Sequence, residues 1–375
     1  MAQKQKEIPI RQMVAALLDD TVPFPPNYLR RFSDLEGDEL AAVSDAWPRV
    51  TASRRLALME DLEELAETDT LMMFDNFPRT ALTDSEPGVR ARAVTLLWEA
   101  EDPSLIDAFL TLLRSDPSVD VRGAAASALG KFVYLGELEE LPADLLHLIE
   151  DRLIAVAGGA DDPLVRRSAL ESLGFSSRDE VPALIQAAYD TNDPEWLASA
   201  LAAMGRSYDQ AYEAQVKRML RHPRANVQLE AVRAAGELEL DSTNRTLLDL
   251  LEEEGQDPEL RFAVIWSLSQ IGGDQVRETL EELLEETEDD EEAEWLENAL
   301  DNLTLTETGQ SMDLLDIDLS DKDMLGKVID LSQPDEDDDT VEATATPLPG
   351  ATAVAPARAP GEGSARAAAA GTAPV

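Results

Sequence analysis

Apolar residues recur along this chain at helical spacing, and the helical pattern itself recurs. In the stretch DDPLVRRSALESLG, Asp161 to Gly174, the residues Val165, Ala169 and Leu173 stand four apart and share one face of a helix. The same frame returns at Val89, Ala93 and Leu97, at Val121, Ala125 and Leu129, and at Trp196, Ala200 and Met204. It returns again at Val227, Ala231 and Ala235, and at Leu260, Val264 and Leu268, with weaker copies at Arg54, Leu58, Leu62 and at Trp295, Ala299, Leu303. The leading positions lie 31–35 residues apart, except for a gap of 44 between Val121 and Val165. A second apolar run follows each first one, as in LIDAFLTLL (Leu105 to Leu113), VPALIQAAY (Val181 to Tyr189) and VRETLEELLEE (Val276 to Glu286). Each period is therefore a helix–turn–helix unit that cannot bury its apolar face alone, and stacking such units produces one continuous core. Sustained alternation with period two is absent, so the pattern predicts an all-α solenoid with almost no strand.

Each place in the frame has a physical reason. Ala in the middle lets a neighbouring helix come close. Asp before Pro, at 162–163, 193–194 and 257–258, offers a capping oxygen while Pro fills the first turn. Replacing such a cap with Ala costs about 1 kcal/mol. The Gly after the last apolar residue, at 130, 174, 205, 236 and 272, is expected to close the helix in the left-handed conformation. Arg90, Arg122, Arg166 and Arg261 follow their anchors directly. They can form a ladder to capping acids of their own or the next repeat, or a surface for anions.

This Asp-Pro, Val-Arg, Ala, Leu-Gly pattern resembles HEAT repeats, in particular the short HEAT-like repeats named after phycobilisome lyases. The resemblance spans about residues 40 to 303. It implies a right-handed superhelix of about eight repeats, with first helices convex, second helices concave, and binding on the concave side. Deoxyhypusine hydroxylases share the repeat and hold two irons through His-Glu pairs. Here His147 precedes Leu148 and His222 precedes Pro223, so no such dipeptide exists. A role as an accessory subunit of a phycobilin lyase or isomerase rests on the shared repeat alone.

Composition narrows the chemistry. The chain of 375 residues holds 77 acidic and 31 basic side chains, a formal net charge of −46, which repels nucleic acid and favours basic partners. Residues 304–375 contribute 14 acids and 4 bases, so the repeat region is itself acidic. With no Cys, disulfides, thiolate metal sites and cysteine nucleophiles are excluded. No phosphate-binding glycine loop or nucleophile elbow is present. No window approaches the roughly 18 uninterrupted apolar residues of a membrane span, and the first twenty residues lack a signal-peptide core. A cytoplasmic, non-enzymatic, monomeric scaffold without cofactor is the resulting expectation, binding another protein that presents a basic surface or peptide.

Departures from the repeat mark candidate sites. The gap of 44 places KFVYLGELEELPAD, Lys131 to Asp144, in excess; Phe132 to Leu135 either lengthen a helix or form an aromatic contact patch. The Pro-rich VPFPPNYLRRF, Val22 to Phe32, within an N-terminal capping segment 1–39, is expected to cover the first repeat. KRMLRHPR, with Lys217, Arg218, Arg221 and Arg224, either compensates nearby acids or docks an acidic peptide. Together with Tyr134, Tyr189 and Tyr212, Lys217, Arg218 and Arg221 form the expected contact set on the second helices. In Glu281–Glu294, ten of fourteen residues are acidic, which predicts a helix end running into a solvated loop. Beyond the repeats, 304–343 repeats Ile-Asp-Leu-Ser at 317–320 and 329–332. Leu314, Leu315, Ile317, Ile329 and Leu331 either form a docking motif that folds on contact or pack on the last repeat. Such a tail could also occupy the chain's own groove. Residues 344–375, rich in Ala, Pro and Thr, are expected to be disordered.

Overall fold

The computed structural model describes residues 8–313, apart from Asp34, Thr70, Leu71, Met73, Glu99, Glu254 and Gln256. Among the described residues every regular element is helical. In chain order these are α1 (Ile10–Leu18), α2 (Gly37–Ala46), α3 (Ala52–Thr68), α4 (Phe77–Ala81), α5 (Pro87–Leu96), α6 (Ser104–Ser115), α7 (Val119–Glu137), α8 (Ala143–Ala157) and α9 (Pro163–Leu173). They continue as α10 (Val181–Tyr189), α11 (Pro194–Arg206), α12 (Glu213–Met219), α13 (Ala225–Glu237), α14 (Asn244–Leu251), α15 (Pro258–Ile271), α16 (Asp274–Glu286) and α17 (Asp290–Asp313). From α5 to α16 the odd-numbered first helices and even-numbered second helices alternate as stacked pairs. The chain is a stacked-helix solenoid.

The predicted stripe is the core. Val89, Val121, Val165, Val227 and Val264 are fully buried, as are Ala125, Ala169, Ala200 and Ala231 beside them. The capping reading holds: the Asp162 carboxylate accepts from the Leu164 N–H, Asp193 from Glu195 and Trp196, and Asp257 from Glu259. At the N-terminal end Phe24, Tyr28 and Phe32 are buried, and Phe77 meets Phe32 at 4.8 Å and Trp47 at 5.0 Å, edge to face.

The glycines do something other than close helices. Gly130, Gly205 and Gly236 lie inside α7, α11 and α13, and Gly174 ends α9 in right-handed conformation at φ −53°. Among the repeat glycines only Gly272 is left-handed, at φ +79°. A Cβ on Gly174 would stand 2.8 Å from the Ala203 Cα, and one on Gly236 2.8 Å from the Ser267 Cα, far inside van der Waals contact. These glycines let first helices touch backbone to backbone. The left-handed turns after α7, α11 and α13 fall instead on Glu139, Tyr208 and Glu239, at φ 62°, 52° and 49°. Neighbouring first helices pack on one another along the whole array, whereas second helices pack mainly on the first helices beside them. The first helices thus form the closely packed row and the second helices the looser one.

The arginines that follow four of the anchors form a ladder between repeats, while Leu197 and Gln228 stand at that place in α11 and α13. Arg55 meets Asp84 at 2.9 Å, Arg90 grips Asp116 through two hydrogen bonds of 2.8 Å, Arg122 meets Asp161 at 2.7 Å, and Arg261 meets Glu292 at 2.6 Å. Each guanidinium also donates to a backbone carbonyl of the preceding turn: Val50, Asp84, Asp116 and Leu251. Burial works to raise the Asp116 carboxyl, but hydrogen bonds from Arg90 and the Ser118 N–H hold it below the usual carboxylate range. Arg122 holds Asp161 low in the same way, burial opposing it.

Two irregular stretches resolve locally. The residues of the long gap extend α7, with Phe132, Val133 and Leu135 buried, so they are core and not a contact patch. The acidic run ends α16 at Glu286, but the loop is only Thr287 to Asp289. Asp289 then accepts from the Glu291 and Glu292 N–H groups and starts α17. Acids in the first turn of α17 suit its positive dipole end, so the run begins a helix where a longer solvated loop was expected. That helix continues to Asp313, past the Leu303 at which the sequence periodicity fades.

Candidate functional site

The first helices α9, α11, α13 and α15 present a mixed stripe at fixed offsets from their anchors: Arg167 and Glu171, Ala198 and Ala202, Leu229 and Arg233, Phe262 and Trp266. Two adjoining depressions open on it. One, of about 450 Å³, is lined by Leu164, Glu171, Ser199, Arg206, Glu230, Arg233 and Glu237 among others. The second, of about 210 Å³, shares Arg233 and Glu237 and adds Phe262, Trp266 and Gln270. Phe262 and Trp266 are each 38% exposed, and Phe262 stands edge-on to Trp295 at 5.2 Å.

The charges in this groove are mostly committed. Ser199 Oγ donates to Glu171 Oε1 at 2.5 Å, and Arg206 Nη1 donates to the Glu171 carbonyl at 2.9 Å. Arg206 also lies over the Phe175 ring at 5.4 Å. Arg233 bridges Glu230 at 2.7 Å and Glu259 at 2.9 Å. Glu237 is the exception. Its carboxylate fills the space left by Gly205, where a Cβ would stand 2.0 Å from Oε2. Burial pushes its pKa up to about 7, with Arg206 and Arg233 opposing and Glu230 adding. Burial raises Glu230 as well. The groove thus joins half-exposed aromatic rings to a carboxyl that titrates near neutrality.

The residues expected from sequence lie elsewhere and are not gathered together. Tyr189 and Tyr212 are 7% and 8% exposed, wedged into the core with the Tyr189 hydroxyl near the Gln215 carbonyl at 3.4 Å. They cannot serve as contact residues, because their apolar rings close the space between repeats. Tyr134 is half-buried, edge-on to Phe175 at 5.3 Å. Lys217 and Arg218 are exposed on α12; Lys217 pairs with Glu213 at 3.4 Å, while Arg221 bridges Asp249 and Glu253 at 3.3 and 2.8 Å. Much of the basic cluster is therefore answered by acids of its own and the next second helix. Leu314, Leu315, Ile317, Ile329 and Leu331 lie outside the described residues.

The family described as HEAT repeats matches residues 78–153 and 212–301. The two matched segments together span less than half of the chain. No curated protein matches it. Among solved structures, Escherichia coli YibA is 15% identical with a TM-score of 0.39, covering 74% of this chain and 96% of its own. Human deoxyhypusine hydroxylase, solved with glycerol, is 18% identical with a TM-score of 0.32, over 70% of this chain and 95% of its own. Kap95p, from a complex with RanGDP, is 15% identical with a TM-score of 0.35, over 78% of this chain and 40% of its own. All three scores fall below 0.5, so the solenoid assignment rests on the helix stacking and on the HEAT match. Among the described residues no cluster of three or more His, Asp or Glu has metal-site geometry, and no helix is long and apolar enough to cross a membrane.

Within the repeat frame the groove residues had a readable signal. Two and six residues after each anchor, most repeats place small or charged residues. Phe262 and Trp266 break that habit.

Proposed function

We propose that this HEAT-repeat protein is a non-enzymatic scaffold that grips a partner polypeptide along α11, α13 and α15. The partner segment offers apolar side chains to Phe262 and Trp266 and a basic side chain to Glu237. The observation that carries this reading is the pair of half-exposed aromatic residues next to an uncommitted carboxyl, on the closely packed row of first helices. Aromatic anchors beside desolvated charges are the usual centre of a protein interface. The formal charge of −46 draws a basic segment in at long range and speeds its capture at low salt.

A photo-crosslinking residue placed at 266 tests this against the basic patch of α12. In cells, partner adducts form from position 266 and not from position 217. Adducts from 217 alone would move the interface to the second helices and overturn the proposal.

A further inference from the structure

The arginine ladder has a missing rung. Arg55, Arg90, Arg122 and Arg261 each hold a carboxylate of the following repeat. Arg166, at the same place on α9, donates its Nε to the Ala157 carbonyl at 3.1 Å, as its counterparts donate to the preceding turn. Its guanidinium then lies over the Trp196 ring at 5.0 Å. Among the described residues no carboxylate pairs with it.

The cause is one side chain. Asp84 and Asp116 each do two jobs: they accept from the N–H two residues on and hold the arginine of the repeat before. Thr191 occupies that place in the α10–α11 turn. Its hydroxyl accepts from the Asp193 N–H at 3.2 Å but brings no charge. Asp193 itself is spent on the N–H groups of Glu195 and Trp196.

A pocket of about 390 Å³ opens where the carboxylate is missing. It is lined by Ala157, Leu170, Leu184, Ala187, Thr191 and Trp196 around Arg166. The walls are apolar, one ring is aromatic, and one fixed cation stands at the edge. This size falls within the roughly 300–1,000 Å³ of small-molecule sites. None of these residues lines the groove beside Glu237.

We propose that this pocket binds a small monocarboxylic acid with an apolar body. The carboxylate takes the vacant rung on Arg166, where a planar guanidinium receives it bidentately. The apolar body fills the space between Leu170, Leu184 and Trp196. A single negative charge suits this place better than an acidic peptide does, because a chain with net charge −46 repels a polyanion far more strongly than a monoanion.

The test uses the full chain and tryptophan emission, with phenylacetate and hexanoate titrated against phenylacetamide and hexanamide. The acids bind saturably and at least tenfold tighter than the amides, and the signal is lost in Trp196→Phe. Thr191→Asp supplies the missing carboxylate from within: acid affinity falls at least tenfold while Tm rises, so lost binding cannot be put down to misfolding. Ala187→Trp, at an exposed site on the pocket wall, blocks the acids with Tm unchanged. Equal affinity for acids and amides, or no saturation by either acid, would overturn the proposal.

Discussion

The two rows of helices in this solenoid are held by different means. First helices meet backbone to backbone through Gly174, Gly205 and Gly236, and their edges are tied by the Arg–Asp ladder. Second helices stand apart and meet across exposed pairs such as Arg221 with Asp249 and Glu253. The tight contacts therefore reside in the first-helix row. Its groove is presented on closely packed backbone, which suits binding with little ordering cost. The second-helix row can change its spacing with less loss.

Four substitutions break or sharpen this contrast, in order of expected size. Arg90→Ala removes one side of the most buried ladder pair, Arg90 and Asp116 being 8% and 9% exposed, and leaves a carboxylate without its partner. The loss is about 3–5 kcal/mol, read by urea unfolding. Gly174→Ala forces a methyl against the Ala203 backbone and costs about 1–3 kcal/mol in the same assay.

The third separates two features of the first-helix row by pH. Glu237 is raised to about 7, so in the folded chain it binds a proton that the unfolded chain releases at the ordinary glutamate value. Between those values stability falls as pH rises. Glu237→Gln removes that penalty and lifts Tm by about 2–4 °C at pH 8, with no gain at pH 4, by calorimetry. The ladder runs the other way. Asp116 and Asp161 are lowered, so their contribution is present above the ordinary aspartate value and is lost as acid protonates them. Identical pH profiles for Glu237→Gln and wild type would remove the special status of this carboxyl. Smallest of all is Lys217→Ala on the second-helix row. It deletes an exposed pair with Glu213 and leaves the urea-unfolding midpoint nearly unchanged, an effect that salt erases.

The repeat was legible because burial periodicity is a local property. Val165, Ala169 and Leu173 announce their face whatever packs on it. The ladder was half legible: the arginines stand out at a fixed place, but only the structure shows that each reaches forward to the next repeat and that Thr191 interrupts the series. The contact tyrosines misled because an aromatic side chain on a second helix reads the same whether it closes the core, as Tyr189 and Tyr212 do, or faces water. The glycines misled for a related reason. Position after a helical leucine suggests a terminus, while the true demand came from a neighbouring helix more than twenty residues away in sequence.

By itself, then, the sequence determined the helices, their pairing, their caps and the apolar spine, because each depends on residues within one repeat. Which row packs backbone to backbone, which acid loses its solvent and which arginine is left without a carboxylate were decided only by tertiary structure. Those properties depend on distances between repeats, and the approach that leaves a Cβ on Gly174 only 2.8 Å from the Ala203 Cα is written in neither segment alone.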